Sequence, residues 1–208
     1  VSAYCNAMLH LFTHAFFKAL LILSAGAVIH SLHHEQDMRK MGGLAKYLPF
    51  TWAMMLIGNL ALTGVGIPVL GIGTSGFYSK DGIINAAFLS GAGMGQYAFW
   101  LTLVAAGLTA FYSWRQFLMT FHGPYRPEQH QNLSHAGHSA HSHDEPAAGD
   151  DHGHHGPVKL SEVHESPMVM LIPLAVLAAG ALFAGFAFDH AFIGIEAGGF
   201  WRTSLGAV

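Results

Sequence analysis

Charge is the first thing this sequence is short of. Lys and Arg number nine and Asp and Glu twelve, 10% of 208 residues, where a soluble domain usually carries about 25%. With a mean hydropathy of +0.38, that excludes a chain dissolved in water on every side, and it leaves no basic patch for nucleic acid. Cysteine is as scarce. Cys5 stands alone, so there is no internal disulfide and no cysteine cluster for iron–sulfur; it reads as a small apolar packing residue. No Walker A motif, no Gly-rich phosphate loop after a strand, no Cys-x-x-Cys-His and no convincing Ser-His-Asp set is present. Any redox chemistry must lie elsewhere.

What the chain has instead is long apolar blocks, 52% of its residues. About 20 such residues cross the hydrocarbon of a membrane as a helix. Residues 3–31 form a first expected span, followed by a polar connector from His33 to Gly43 that ends near Lys46 and Pro49. Residues 50–66 and 77–91 are two further apolar pieces, each marginal for a crossing. Between them Gly64, Gly66, Pro68, Gly71, Gly73 and Gly76 crowd into thirteen residues, a density that no regular helix holds. Two short helices with a turn at the surface would fit. So would one discontinuous helix broken near the midplane, and Lys80 and Asp81 just after the break favour that second reading. Residues 98–121 and 167–188 complete the spans, with Trp100, Tyr112 and Trp114 near the borders and Arg115 placed to snorkel.

Residues 122–166 differ in kind. They hold ten of the 16 histidines among Gly, Ala, Ser, Asp, Glu and Pro, and are expected to form a flexible loop. The tail, 189–208, is Gly-rich. The first residue is Val1, almost inside a helix, with no signal-peptide pattern; the expectation is an internal piece of a longer protein. If 50–91 is one crossing, both polar connectors share a side with six of the seven Lys and Arg left after the intramembrane Lys18 and Lys80, and only Arg202 is opposite. Two full crossings would erase that bias. The positive-inside rule therefore supports the broken helix and puts the His-rich loop in the cytoplasm.

Three groups of residues have chemistry to offer. His10, His14 and Lys18 stand four apart in the first span, a spacing that stacks them along one helix face. They are either polar groups merely satisfied inside a bundle or a proton path, since imidazole takes and gives protons near neutral pH and a buried Lys becomes switchable. Metal binding by His10 and His14 is opposed by the Lys one turn on. Lys80 and Asp81 form the second group, with Lys80 as a proton carrier and Asp81 tuning it, or else as an interfacial pair of small worth. Thr63, Ser75 and Ser79 stand near enough to the break to hold water. The loop histidines, His135-x-x-His138-x-x-His141-x-His143 and His152-x-His154-His155, have metal-chelating spacing but no fixed framework; a solvated linker is the plainer reading.

The phrases HLFTHAFFKALLILSAGAVIHSLHHEQDMRKMGGL, GFYSKDGII, FYSWRQFLMTFHG and HESPMVMLIPLAVLAAGALFAG resemble the antiporter-like, proton-pumping membrane subunits of respiratory complex I. The branch they resemble most is subunit L of bacteria, chain 5 of mitochondria. The resemblance covers most of the chain apart from the His-rich loop. It implies an all-α, multi-span transmembrane helix bundle with one discontinuous helix around residues 64–76, seated in the bacterial inner membrane. It also implies that His10, His14 and Lys18 lie on a central hydrophilic axis and that Lys80 is the lysine of a discontinuous helix leading toward the outlet. No cofactor would bind this chain. NADH, FMN, iron–sulfur clusters and quinone would belong to partner subunits, and a neighbouring antiporter-like subunit and the lipid bilayer would be its contacts. The input-side glutamate–lysine pair and the long lateral helix of the family are not in this sequence. Readings kept beside it are a Mrp-type Na⁺/H⁺ antiporter or membrane-bound hydrogenase subunit, and a metal-ion transporter using the His-rich loop. The expected mechanism switches the charges of Lys18 and Lys80 in turn, the two approaching across the bundle.

Overall fold

The computed structural model describes residues 3–67, 72–91, 93–126, 160–193 and 201. The first apolar run is one helix, α1, Ala3–Ser31; its Gly and Ser are isolated among strong helix formers and do not interrupt it. α2, Pro49–Thr63, begins with proline in the first turn, where no N–H is needed. Two paired two-residue strands follow, β1 Gly66–Ile67 and β2 Ile72–Gly73. Then come α3, Ser75–Leu89, α4, Gly93–Phe121, and α5, Met168–Phe192.

α1, α4 and α5 are long and apolar enough to cross a membrane. α2 and α3 have 15 residues each, and at about 22 Å neither alone spans the roughly 30 Å of hydrocarbon. Their neighbours fix their arrangement. Gly58 of α2 lies against Leu21 of α1, while Ser79 and Gly82 of α3 meet His10 and Asn6 further along the same helix. α4 also covers both pieces: Phe117 meets Trp52 of α2, and Phe99 meets Phe88 of α3. The two short helices thus succeed one another in one direction along α1, interrupted by the β1–β2 hairpin. Glycine makes the junction possible. A Cβ on Gly76 would stand 1.9 Å from the Ala61 carbonyl oxygen, so only a bare Cα lets α3 begin this close to α2.

One packed cluster, with Phe17, Leu20, Ala61 and Leu174, joins α1, α2 and α5. Ala178, Ala181 and Gly185 of α5 are buried, small residues that bring helix backbones close where lipid offers no hydrophobic drive of its own. The other cluster, with Leu32, Leu44, Leu48, Phe117 and Phe121, closes the end where the two connectors meet. There Gly42, at φ +149°, passes so near Pro124 that a Cβ would stand 2.3 Å from its carbonyl oxygen. Trp52 Nε1 donates to His122 Nε2 at 3.2 Å. The described residues of both connectors therefore share one end of the bundle.

Several boundaries differ from expectation. α2 stops at Thr63, short of 66, and α3 runs Ser75–Leu89 in place of 77–91. α4 begins at Gly93, not 98, and α5 runs on to Phe192 beyond 188. The stretch 122–166 is not loop throughout. Leu160–Glu162 form a 3-10 turn, Val163 and Ser166 are buried, and Glu165 is bound to α2. Leu160 and Val163 pack against the connector-end core and anchor the chain there. The histidines from His130 to His155, and most of the tail from 194 on, lie outside the described residues.

Candidate functional site

A helix break leaves carbonyl and N–H groups without helical partners. α2 closes most of its own end. Gly64 turns left-handed at φ 72°, its N–H donates to Ala61 O at 3.2 Å, and Val65 N–H donates to Leu60 O at 3.0 Å, the Schellman pattern. The Leu62 carbonyl accepts from Lys80 Nζ, which reaches back from the second turn of α3. A lysine ammonium there stands at the negative end of the α2 dipole.

His10 faces the same region from α1. Its Nδ1 lies 3.1 Å from Ser79 Oγ, and Thr13 Oγ1 lies 3.0 Å from Ser79 Oγ and 3.2 Å from His10 O. Two hydrogen arrangements satisfy these three groups. Thr13 donates to Ser79 and Ser79 to His10 Nδ1, or His10 Nδ1–H donates to Ser79, Ser79 to Thr13, and Thr13 to the His10 carbonyl. The set therefore has two hydrogen arrangements that need no heavy atom to move. His10 and Lys80 also line one open groove of about 250 Å³ with Ile83, Ile84, Thr102 and Thr109, room for several waters at about 30 Å³ each.

The expected residues divide as follows. His10 and Lys80 come together. His14 adjoins them, its ring 5.8 Å from that of His10 and 5.2 Å from Phe17. Lys18 does not approach Lys80: it is exposed on this chain and makes no hydrogen bond or ion pair with the described residues. Steps of four residues drift by about 40° each, so Lys18 is turned about 80° from His10 and raised about 12 Å along the axis. His10 takes the place expected of Lys18. Asp81 is exposed and pairs with nothing among the described residues, pointing about 100° away from its neighbour Lys80. Thr63 bonds within its own helix, to Asn59 O at 2.7 Å. Ser75 is fully buried and its Oγ has no partner among the described residues.

Four residues of this site carried no expected role. Asn6 Nδ2 donates to Gly82 O at 3.4 Å while its Oδ1 is buried without a partner among the described residues. Thr13 follows His10 by three, which puts it on an adjoining face. Thr102 and Thr109 are seven apart in α4 and so share a face, a periodicity visible beforehand.

Residues 1–109, which include every residue of this site, match the family model described as NADH:quinone oxidoreductase/Mrp antiporter, transmembrane. Over 98% of its length the chain is 46% identical to NADH-quinone oxidoreductase subunit L of Rhodobacter capsulatus. It is 46% identical over 89% of its length to the same subunit of Neisseria meningitidis, and 41% identical over 99% to NADH-ubiquinone oxidoreductase chain 5 of Marchantia polymorpha. It spans about a quarter of the length of these curated relatives, 25% in each case. With its apolar crossings and its broken helix, the chain belongs to the NADH:quinone oxidoreductase/Mrp antiporter family of multi-pass membrane proteins.

Proposed function

We propose that this chain forms part of the proton path of an NADH–quinone oxidoreductase membrane subunit, in a bacterial inner membrane. The observation that carries the reading is the groove that His10 and Lys80 share beside the helix break. A lysine held by a helix-end carbonyl gains or loses a proton according to its surroundings, and His10, its ring nitrogen held by the Ser79–Thr13 pair, exchanges protons with water in the groove it shares with Lys80. His14 extends the set along α1, and Lys18, on the outward face, suits hand-over to protein that packs there. Asp81 tunes from the rim. Oxidation of NADH and reduction of quinone, with FMN and iron–sulfur clusters, are assigned to partner subunits that include a neighbouring antiporter-like one.

A Mrp-type antiporter subunit is the second reading, because the family description covers both; the 46% identity to subunit L favours the oxidoreductase. Among the described residues no three His, Cys, Asp or Glu side chains converge, so a metal carrier draws no support from them.

The test is Lys80→Ala in the full-length protein, read as NADH-driven acidification of inverted membrane vesicles beside the NADH:quinone rate. The expected outcome is fewer protons moved per electron with assembly kept, and no full rescue by Lys80→Arg, since guanidinium stays protonated. Wild-type pumping per electron would remove Lys80 from the path.

A further inference from the structure

At the connector end of the bundle lies a feature that proton transfer does not use. A groove of about 360 Å³ runs between the last turns of α1, the following connector and α4. Val28, Ile29, Met41 and Met55 form its apolar walls, and Arg115 and Gln116 stand on its α4 side. A second groove of about 290 Å³ shares Met38 and Met41 with the first and is rimmed by Arg126.

Arg115 precedes the last residue of α4 by six positions, about 9 Å of helix, which sets its guanidinium at interfacial depth in a membrane. No carboxylate among the described residues pairs with it. Asp37 is taken by Arg39 and Glu35 by Lys40, both at 2.9 Å, and Glu165 is taken by α2. Glu35 is firmly committed. Burial pushes its carboxyl up, but the Asp37 and Gln36 N–H groups and Lys40 together hold it below the usual carboxylate range.

A guanidinium at that depth faces the headgroup layer, and its planar fork matches phosphate. Methionine walls adapt to a flexible hydrocarbon. We propose that this groove is a binding site for one anionic phospholipid of the surrounding bilayer, its phosphate on Arg115 and an acyl chain lying along Met38 and Met41. Basic pockets between transmembrane helices have the chemistry to hold such headgroups. A second positive charge at Arg126 favours a net negative lipid over a zwitterionic one. The proposal rests on the membrane character of the chain and not on its part in proton transfer.

The experiment uses the full-length protein in its complex, in nanodiscs containing phosphatidylglycerol with a photoactivatable acyl chain, and maps labelled peptides by mass spectrometry. Labelling is expected on residues 28–41 and at Met55. Excess phosphatidylglycerol should displace it and phosphatidylcholine should not. Arg115→Gln should weaken it about tenfold, the worth of one charge-assisted hydrogen bond, and Arg115→Lys should keep most of it. Equal labelling in Arg115→Gln, equal displacement by phosphatidylcholine, or cross-links from these residues to another protein segment in place of lipid would each overturn the site.

Discussion

α2 and α3 are both 15 residues long and follow one another along α1, yet their N-termini are built in opposite ways. At the start of α2, Glu165 Oε1 accepts from Phe50 N at 2.7 Å and Thr51 N at 3.2 Å, and its Oε2 accepts from Thr51 Oγ1 at 2.8 Å. A carboxylate on a helix N-terminus satisfies orphan donors and complements the dipole. At the start of α3 the N-cap residue is Thr74, a type well suited to capping. Its side chain makes no cap bond and lies within hydrogen-bond reach of Leu60 O and Val65 O of the preceding segment, 3.2 Å from each. Beside it Ser75 Oγ is buried and unpartnered among the described residues. The connector-end helix is locked, while the helix that carries Lys80 begins at a loosely satisfied junction. We read the first as anchorage and the second as the place where hydration and charge can change.

The most severe way to break that comparison is to force the junction apart. Gly76→Ala puts a methyl 1.9 Å from the Ala61 carbonyl oxygen, and the obstacle is backbone. Relief requires α3 to move off α2, which also pulls Lys80 from Leu62 O. The expected result is a subunit that fails to accumulate in membranes, a cost above about 3 kcal/mol at the upper end of overpacking. Gly107→Ala is the control, since nothing lies within 4 Å of the new methyl, and steady-state levels by immunoblot separate the two. Normal accumulation of Gly76→Ala would mean that the junction is looser than its geometry.

Removing the lock is the next largest effect. Glu165→Ala takes away three hydrogen bonds to one carboxylate and should lower stability by about 2–3 kcal/mol. Thermal aggregation of the purified complex reads this. Glu165→Gln, which keeps the acceptor but loses the charge, should fall between. Pumping per electron should hold in whatever fraction stays assembled. A pumping defect at full assembly would show that the connector end takes part in transfer, and the contrast between the two helices would fail.

These roles were unequally legible in the sequence. Apolar run lengths place the crossings because hydrocarbon thickness sets them, and the crowding from Gly64 to Gly76 marks the break because glycine and proline weaken helices wherever they stand. The site was legible as residue types and not as pairs. His10 and Lys80 were singled out, but which one of α1's polar residues meets α3 depends on a drift of about 40° per four residues, which decides between His10 and Lys18 only once the helices are packed. Glu165 was invisible for another reason. It acts 114 and 115 residues away in sequence, inside a stretch whose composition reads as linker, and no local pattern announces a cap delivered from a different segment.

The smallest effect tests the α3 side directly. Ser75 is fully buried and its hydroxyl has no partner among the described residues. Deleting such a group removes an unpaid desolvation cost and opens no large cavity, because only one oxygen leaves. Ser75→Ala should therefore shift stability by less than about 0.5 kcal/mol and leave pumping per electron unchanged. A loss of pumping at unchanged thermal stability would have a specific meaning. Ser75 stands in α3's first turn, which has no side-chain cap, and its hydroxyl together with free N–H groups there would bind water or an anion on the path to Lys80. The open end of α3 would then belong to the transfer chemistry itself, beyond being the place that permits it.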